Sequence, residues 1–244
     1  MNVFVSGGSR GIGAALVREL HAQGHRTVFT YERDKAAADR LCAQLQERVW
    51  ALRCDLSDYD ALPAVVESAK NRLGTIDTLV NNAGIFADNP FFANTYERWR
   101  AGWERTFSVN LFGTAHLTYL LLQHMRQAGG GRIINVASRA AHRGELQYAD
   151  YGASKAGLVN FTKSIARSCG QYNIISIAIA PGFVETDMAA EELEVRGDEI
   201  ESEIPLGRVG SASEVAAVIA FFACGRGDYA TGSTIDLNGA SYVR

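Results

Sequence analysis

The run Tyr151-Gly152-Ala153-Ser154-Lys155 sets a phenol and an ammonium four residues apart, one turn along any helix that carries them. A free phenol titrates near ~10 and exchanges protons poorly at neutral pH. An ammonium one turn away favours the phenolate and makes a tyrosine usable as a general acid or base. Ser138 ends the β-like run Ile133–Val136 and lies thirteen residues before Tyr151. Asn110 falls inside a helical pattern, where Asn is a poor former and needs another reason to be present. A Tyr–Lys pair alone is ordinary on a helix surface. Ser138 and Asn110 change the odds toward a proton-transfer site.

A second chemical signal lies near the start. Ser6-Gly7-Gly8-Ser9-Arg10-Gly11-Ile12-Gly13 follows an apolar run and leads into a helical pattern. Glycines there permit a tight turn, let backbone approach a pyrophosphate, and let the helix pack on the sheet. The phosphates would meet the helix N-terminus, with its free N–H groups and positive dipole end. No Lys-Ser/Thr follows the glycines, which excludes a P-loop NTPase.

These residues need a scaffold, and the patterning supplies one. β-branched runs at Val3–Val5, Thr27–Thr30, Val49–Arg53, Thr78–Val80, Ile133–Val136, Ile174–Ile179 and Thr234–Leu237 alternate with helical patterns. The helices are predicted at about Ile12–Gln23, Lys35–Glu47, Tyr59–Leu73, Trp99–Gln127, Tyr151–Cys169 and Ser213–Cys224. Repeated strand–helix alternation implies right-handed crossovers and a parallel sheet covered on both faces. The expected fold is a single α/β Rossmann domain over residues 1–244, doubly wound, with about seven strands. Two longer segments, Ile85–Tyr96 and about 183–210, follow predicted strands at their carboxyl ends, where open α/β sheets bind ligands. The second holds seven acids and one base, Arg196, between Ala190 and Glu203. It reads as a solvated helical lid that could also gate the site.

Taken together, the motifs resemble the short-chain dehydrogenase/reductase family over the whole chain. Ser6-Gly7-xxx-Gly11-x-Gly13 is similar to its glycine motif, with Ser6 where Thr is usual. Asp55, followed by Leu56, matches the acid that contacts adenine, and Asn81-Asn82-Ala83-Gly84 the motif that steadies the sheet beside the cofactor. Asn110, Ser138, Tyr151 and Lys155 match the catalytic tetrad in order and spacing. Pro181-Gly182, Val184 and Thr186 match the segment that holds the nicotinamide carboxamide. The resemblance implies that Tyr151 exchanges a proton with the substrate oxygen while Ser138 hydrogen-bonds it. Lys155 would lower the Tyr151 pKa and bind the nicotinamide ribose, and Asn110 would hold a water linking Lys155 to solvent. Ala137 and Ser176 depart from common family residues; only Ser176, where many members have Asn, touches a structural contact.

An acid at the end of the second strand selects NAD through the ribose 2′-OH, and cations there select the 2′-phosphate. That position falls at about Tyr31, so the acid is missing, while Arg10 and Arg33 offer cations. NADP(H) is favoured; Glu32 is the counter-signal and NAD(H) stays open. The segments Pro181–Met188, Ile204–Arg208 and Asp236–Gly239 resemble those of 3-oxoacyl-(acyl-carrier-protein) reductases, implying reduction of a 3-oxoacyl thioester, with a sugar, steroid or polyketide ketone as alternatives. A dinucleotide sensor would have lost Tyr151 or Lys155, and a methyltransferase would leave Tyr151, Lys155 and Ser138 unexplained.

The bulk properties agree. A net charge of −3 gives no field for nucleic acid or an anionic membrane. Cys42, Cys54, Cys169 and Cys224 form no CxxC pair, so neither a disulfide framework nor a zinc site is indicated. His21 and His25 are i, i+4 but have Gly24 between them and no third ligand nearby, and read as surface residues. The first residues form no signal peptide, and a cytoplasmic protein is expected. Leu158, Val159, Phe161, Ile165 and Ala166 spread apolar surface around their helix, which predicts self-association, as a homotetramer in the family's manner. An acyl carrier protein, being acidic, would need a basic patch; Arg126, Arg132, Arg139 and Arg143 are the candidates.

Overall fold

The computed structural model describes residues 1–244. Its central sheet is parallel, with seven strands in the order β3-β2-β1-β4-β5-β6-β9. These are β1 (Asn2–Ser6), β2 (Arg26–Tyr31), β3 (Val49–Arg53), β4 (Thr78–Asn81), β5 (Gly131–Val136), β6 (Ile174–Pro181) and β9 (Thr234–Leu237). Interior strands are buried on both faces, as their unbroken β-branched composition requires. On one face α1 (Gly11–Ala22), α2 (Lys35–Leu45) and α8 (Ala212–Ala223) close a core around Leu16, Leu20, Phe29 and Ile219. On the other, α3 (Leu62–Leu73), α5 (Thr114–Ala128) and α6 (Ala149–Cys169) cover Phe4, Leu79, Leu117 and Ile133. The strand order reverses between β1 and β4, and the crevice at their carboxyl ends is where such sheets bind ligands.

The long helix predicted over Trp99–Gln127 is broken. α4 (Tyr96–Phe107) and α5 are joined by a π-helical turn, Ser108–Gly113, with Asn110 inside it. A Cβ on Gly113 would lie 2.0 Å from the Leu56 carbonyl oxygen, so the turn ends on a glycine because the chain after β3 passes against it. π-turns interrupt helices mostly at functional sites, and this one delivers Asn110, fully buried, to the inside of the crevice.

The lid segment forms β7 (Val184–Glu185), α7 (Ala190–Ser202) and β8 (Gly210–Ser211). β7 and β8 pair in parallel and pin its base. α7 carries non-helical backbone at Arg196. It is not purely a solvated face, since Glu192 turns inward to Tyr148 and Glu203 meets Arg143. No helix is long and apolar enough to cross a membrane. Leu158, Val159 and Ile165 are buried within the protomer, so the two-sided apolar character of α6 is mostly used internally. Exposed aromatic side chains lie instead on α4, the π-turn and α5 at Tyr96, Phe112 and Tyr119, with the half-buried rings of Trp99, Trp103 and Phe107 in contact between them. His25 is not a bare surface residue either: its ring meets the Met1 amino group and the Cys224 thiol, each at 3.1 Å.

Candidate active site

The glycine loop is held to the second strand, where Gly8 N–H donates to the Thr30 carbonyl (2.8 Å) and Gly7 N–H to the Thr30 hydroxyl (3.1 Å). Gly7 and Gly11 have φ of +68° and +52°, the region L side chains avoid. A Cβ on Gly13 would stand 2.1 Å from the Gly7 carbonyl oxygen, and one on Gly7 would stand 2.8 Å from Ala83 Cα. Helix α1 then starts with no side-chain cap from Arg10, leaving its first N–H groups directed out of the loop. Such a cradle fits a pyrophosphate. Ser9 and Ile12 lie in it, half-buried, and Arg10 is exposed at its rim.

β4 supports the other side. Ser6 Oγ accepts from the N–H groups of Asn82 and Ala83 (3.1 Å each), and Asn82 Nδ2 donates to the Gly7 carbonyl (2.7 Å). Ser6 thus does real structural duty in place of the usual Thr. Beneath, Asn81 Nδ2 donates to Asn135 Oδ1 (2.8 Å) and Asn135 Nδ2 to Thr162 (2.8 Å), a buried amide chain joining β4, β5 and α6. Ser176, by contrast, is buried with no partner for its hydroxyl.

Asn110, Ser138, Tyr151 and Lys155 converge where β4 and β5 end. Asn110 Oδ1 accepts from Ile85 N–H (2.8 Å), and its Nδ2 donates to the Ile85 carbonyl (3.0 Å) and Ser154 (3.2 Å). A Cβ on Gly84 would fall 3.3 Å from Asn110 Oδ1 and 3.4 Å from Lys155 Nζ, which places all three together. Lys155 Nζ donates to the Val136 carbonyl (2.8 Å) and stands 5.7 Å from the centre of the Tyr151 ring. Ser138, held in the turn after β5 by a bond from Ala140 N–H to its Oγ (3.1 Å), neighbours the Tyr151 phenol.

The electrostatics correct one expectation. Burial pushes the Tyr151 phenol up to about 12; hydrogen bonding with Ser138 opposes the rise and the Glu145 carboxylate adds to it. Burial likewise pushes Lys155 down to about 8. Desolvation therefore sets the direction of both shifts, and the ammonium's hydrogen bond is directed to Val136 rather than to the phenol. In the protein alone Tyr151 is a firmly protonated donor, the state that reduction of a carbonyl requires.

The remaining predicted residues surround this centre. Thr186 Cγ2 would lie 3.3 Å from a Cβ on Gly11, so the segment after β6 closes over the glycine loop. Pro181 ends β6 and Val184 is buried in β7. Gly182 is needed because a Cβ there would stand 2.9 Å from Asn238. Tyr31 pairs in register with Arg53 across β2 and β3. Glu32, the counter-signal to NADP, is ion-paired with Arg33 at 2.9 Å. Asp55 accepts from Ser57 N–H (2.8 Å) and Oγ (2.6 Å), and that bonding, helped by Arg33, lowers its pKa. Leu56 is buried in the core, leaving only its backbone for a ligand. Sequence reading missed Arg53, which brings a third arginine to this edge, and the pair Phe86 and Tyr148 beside Tyr151.

A cradle for a dinucleotide, a doubly wound sheet and a Tyr–Lys–Ser–Asn centre at its switch point define a nicotinamide-dependent oxidoreductase; the chain belongs to the short-chain dehydrogenase/reductase family. A family model described as enoyl-(acyl carrier protein) reductase matches residues 7–239. Among similar proteins, an acetoacetyl-CoA reductase of Shinella zoogloeoides is 36% identical over 240 residues, 98% of this chain and 97% of the relative. A 3-oxoacyl-(acyl-carrier-protein) reductase of Aquifex aeolicus is 35% identical over 242 residues, 98% and 96% of the two chains. The structure of a Brucella melitensis short-chain dehydrogenase/reductase, described as glucose/ribitol dehydrogenase, superposes with a TM-score of 0.91 at 34% identity, covering 100% of this chain and 97% of that one.

Proposed function

We propose that the protein reduces a 3-oxoacyl thioester to the 3-hydroxyacyl thioester with NADPH. The carrying observation is the meeting of Ser138, Tyr151 and Lys155 at one point, in a chain whose relatives along its full length include reductases of such thioesters. When bound, the reduced nicotinamide supplies the hydride to the carbonyl carbon. Tyr151 gives its phenolic proton to the carbonyl oxygen, and Ser138 donates a hydrogen bond to that oxygen as negative charge builds. Lys155 holds the nicotinamide ribose, and Asn110 fixes the Ile85 turn against it. Gly7, Ser9, Gly11, Ile12 and Gly13 take the pyrophosphate, and Asp55, Leu56, Asn82, Ala83 and Gly84 line the adenine and ribose side. Pro181, Gly182, Val184 and Thr186 hold the carboxamide.

Arg10 and Arg33, with Tyr31 in place of an acid, suit a 2′-phosphate, and the Arg33–Glu32 pair offsets the one carboxylate nearby. Arg10→Ala should weaken NADPH more than NADH by about 1–3 kcal/mol, the scale of a charge-assisted contact; tighter NADH than NADPH binding by the wild type would overturn the choice. Turnover of 3-oxobutanoyl thioester without turnover of the 2-enoyl thioester separates ketone from alkene reduction.

The four arginines considered for carrier docking each have a partner in the chain. Arg139 pairs with Glu145, Arg143 with Glu203 and Arg132 with Asp228, and Arg126 lies over Tyr172. Arg126 and Arg132 also sit at the end of the sheet away from the protomer's own site. This favours a thioester on a small thiol over one on an acyl carrier protein. Rates on both forms at low and high salt decide it, a salt-sensitive preference for the carrier counting against the reading. The aromatic surface of α4 and α5 supports self-association to a homotetramer, which light scattering at micromolar concentration checks; a monomer alone would refute it.

A further inference from the structure

One side of Tyr151 is walled by two aromatic rings. Phe86, two residues past Gly84, meets the Tyr151 ring edge-on at 4.9 Å between centroids. It stacks on Tyr148 at 3.9 Å and 20°. Rings at these separations are in van der Waals contact, and no chain passes between them. Tyr148 is 8% exposed, and its hydroxyl donates to the Glu192 carboxylate on α7. Glu192 accepts in turn from Arg196 Nη1 (3.2 Å), while Nη2 and Nε of the same guanidinium donate to Glu199. Burial, with Glu192 and Asp88 beside it, pushes the Tyr148 phenol up and keeps it a donor to the lid. Three elements, the turn after β4, the start of α6 and the lid, thus brace one wall. Tyr148 cannot swing aside without breaking its bond to the lid.

Resting on the thioester reading above, we propose that Phe86 and Tyr148, braced by Glu192, make this a short-chain enzyme, selecting a carbonyl carbon whose substituent on that side is methyl-sized. A 3-oxobutanoyl group would set only a methyl against these rings; each added methylene would press on a ring or on the lid that braces it. One methylene too many against such a wall costs on the order of 10-fold in kcat/KM.

The test compares kcat/KM with NADPH on the N-acetylcysteamine thioesters of 3-oxobutanoate and 3-oxohexanoate, using the full chain. Wild type should favour the four-carbon substrate by at least about 10-fold. Phe86→Ala and Tyr148→Ala should cut that ratio to about 3 or less, as the wall opens. Tyr148→Phe, which keeps the ring and loses the bond to Glu192, should fall between. Should Tyr148→Ala fail to fold, Phe86→Leu carries the same comparison. A wild type that accepts both chain lengths equally, or variants that keep the wild-type ratio, would overturn the proposal. Ethyl 3-oxobutanoate and ethyl 3-oxohexanoate run in parallel separate the two readings. Turnover of these esters but of no thioester refutes the thioester reading, while the ester ratio still reports the wall. Inactivity on every ketone overturns both.

Discussion

Lys155 offers the sharpest electrostatic prediction, because burial sets its pKa at about 8 while Tyr151 stays protonated to about 12. With that value, roughly nine-tenths of Lys155 is charged at pH 7 and about one-tenth at pH 9. If the ammonium is the form that binds the ribose and assists proton release from Tyr151, kcat/KM for NADPH should fall about 10-fold between those pH values. That parameter reports the free enzyme, the state whose pKa is at issue. The assay is NADPH oxidation at saturating ketone from pH 6 to 10. Lys155→Met should have much lower kcat/KM and no limb near pH 8. The Tyr151 phenol, held up to about 12, should add no limb below pH 10. A wild-type profile flat through pH 9.5, or the same limb persisting in Lys155→Met, would refute the reasoning.

Three further predictions concern the scaffold. Gly13→Ala sets a Cβ 2.1 Å from the Gly7 carbonyl and 2.7 Å from Asn82 Nδ2, so the loop must shift; NADPH affinity by fluorescence titration should drop at least ~10-fold, with about 1–3 kcal/mol of stability lost. Gly74→Ala, at φ +77° with open space around it, should cost about 1–2 kcal/mol by the backbone penalty alone and leave NADPH affinity unchanged. Asn81→Ala removes the donor to Asn135 Oδ1 and Thr118 in the buried chain; urea unfolding should show a loss of about 1–3 kcal/mol with unchanged m.

The sheet was legible because its interior strands are buried on both faces and read as apolar runs, and all seven strands appear where the β-branched residues cluster. Much of the motif was legible too, since Ser138 and Asn81–Gly84 follow strand ends and Lys155 lies one helical turn from Tyr151. What escaped were features set by tertiary contact. The π-turn at Asn110 leaves no mark in the hydrophobic period, because Gly113 yields to the Leu56 backbone, which is remote in sequence. Tyr148 and Glu192 are 44 residues apart and meet only because the lid folds over the start of α6. The direction of the Tyr151 shift escaped for a similar reason. Spacing shows that Lys155 is one turn away, but the depth of burial, which decides the sign, is a property of the packed site.

The account stands on Tyr151 as the group that gives its proton to the substrate oxygen. Following NADPH absorbance with 3-oxobutanoyl thioester, wild type beside Tyr151→Phe, tests that directly. The account predicts steady turnover by the wild type and a loss of at least ~10²-fold in the variant, the scale of a missing general acid, with NADPH binding retained. Near-normal turnover by Tyr151→Phe would contradict it.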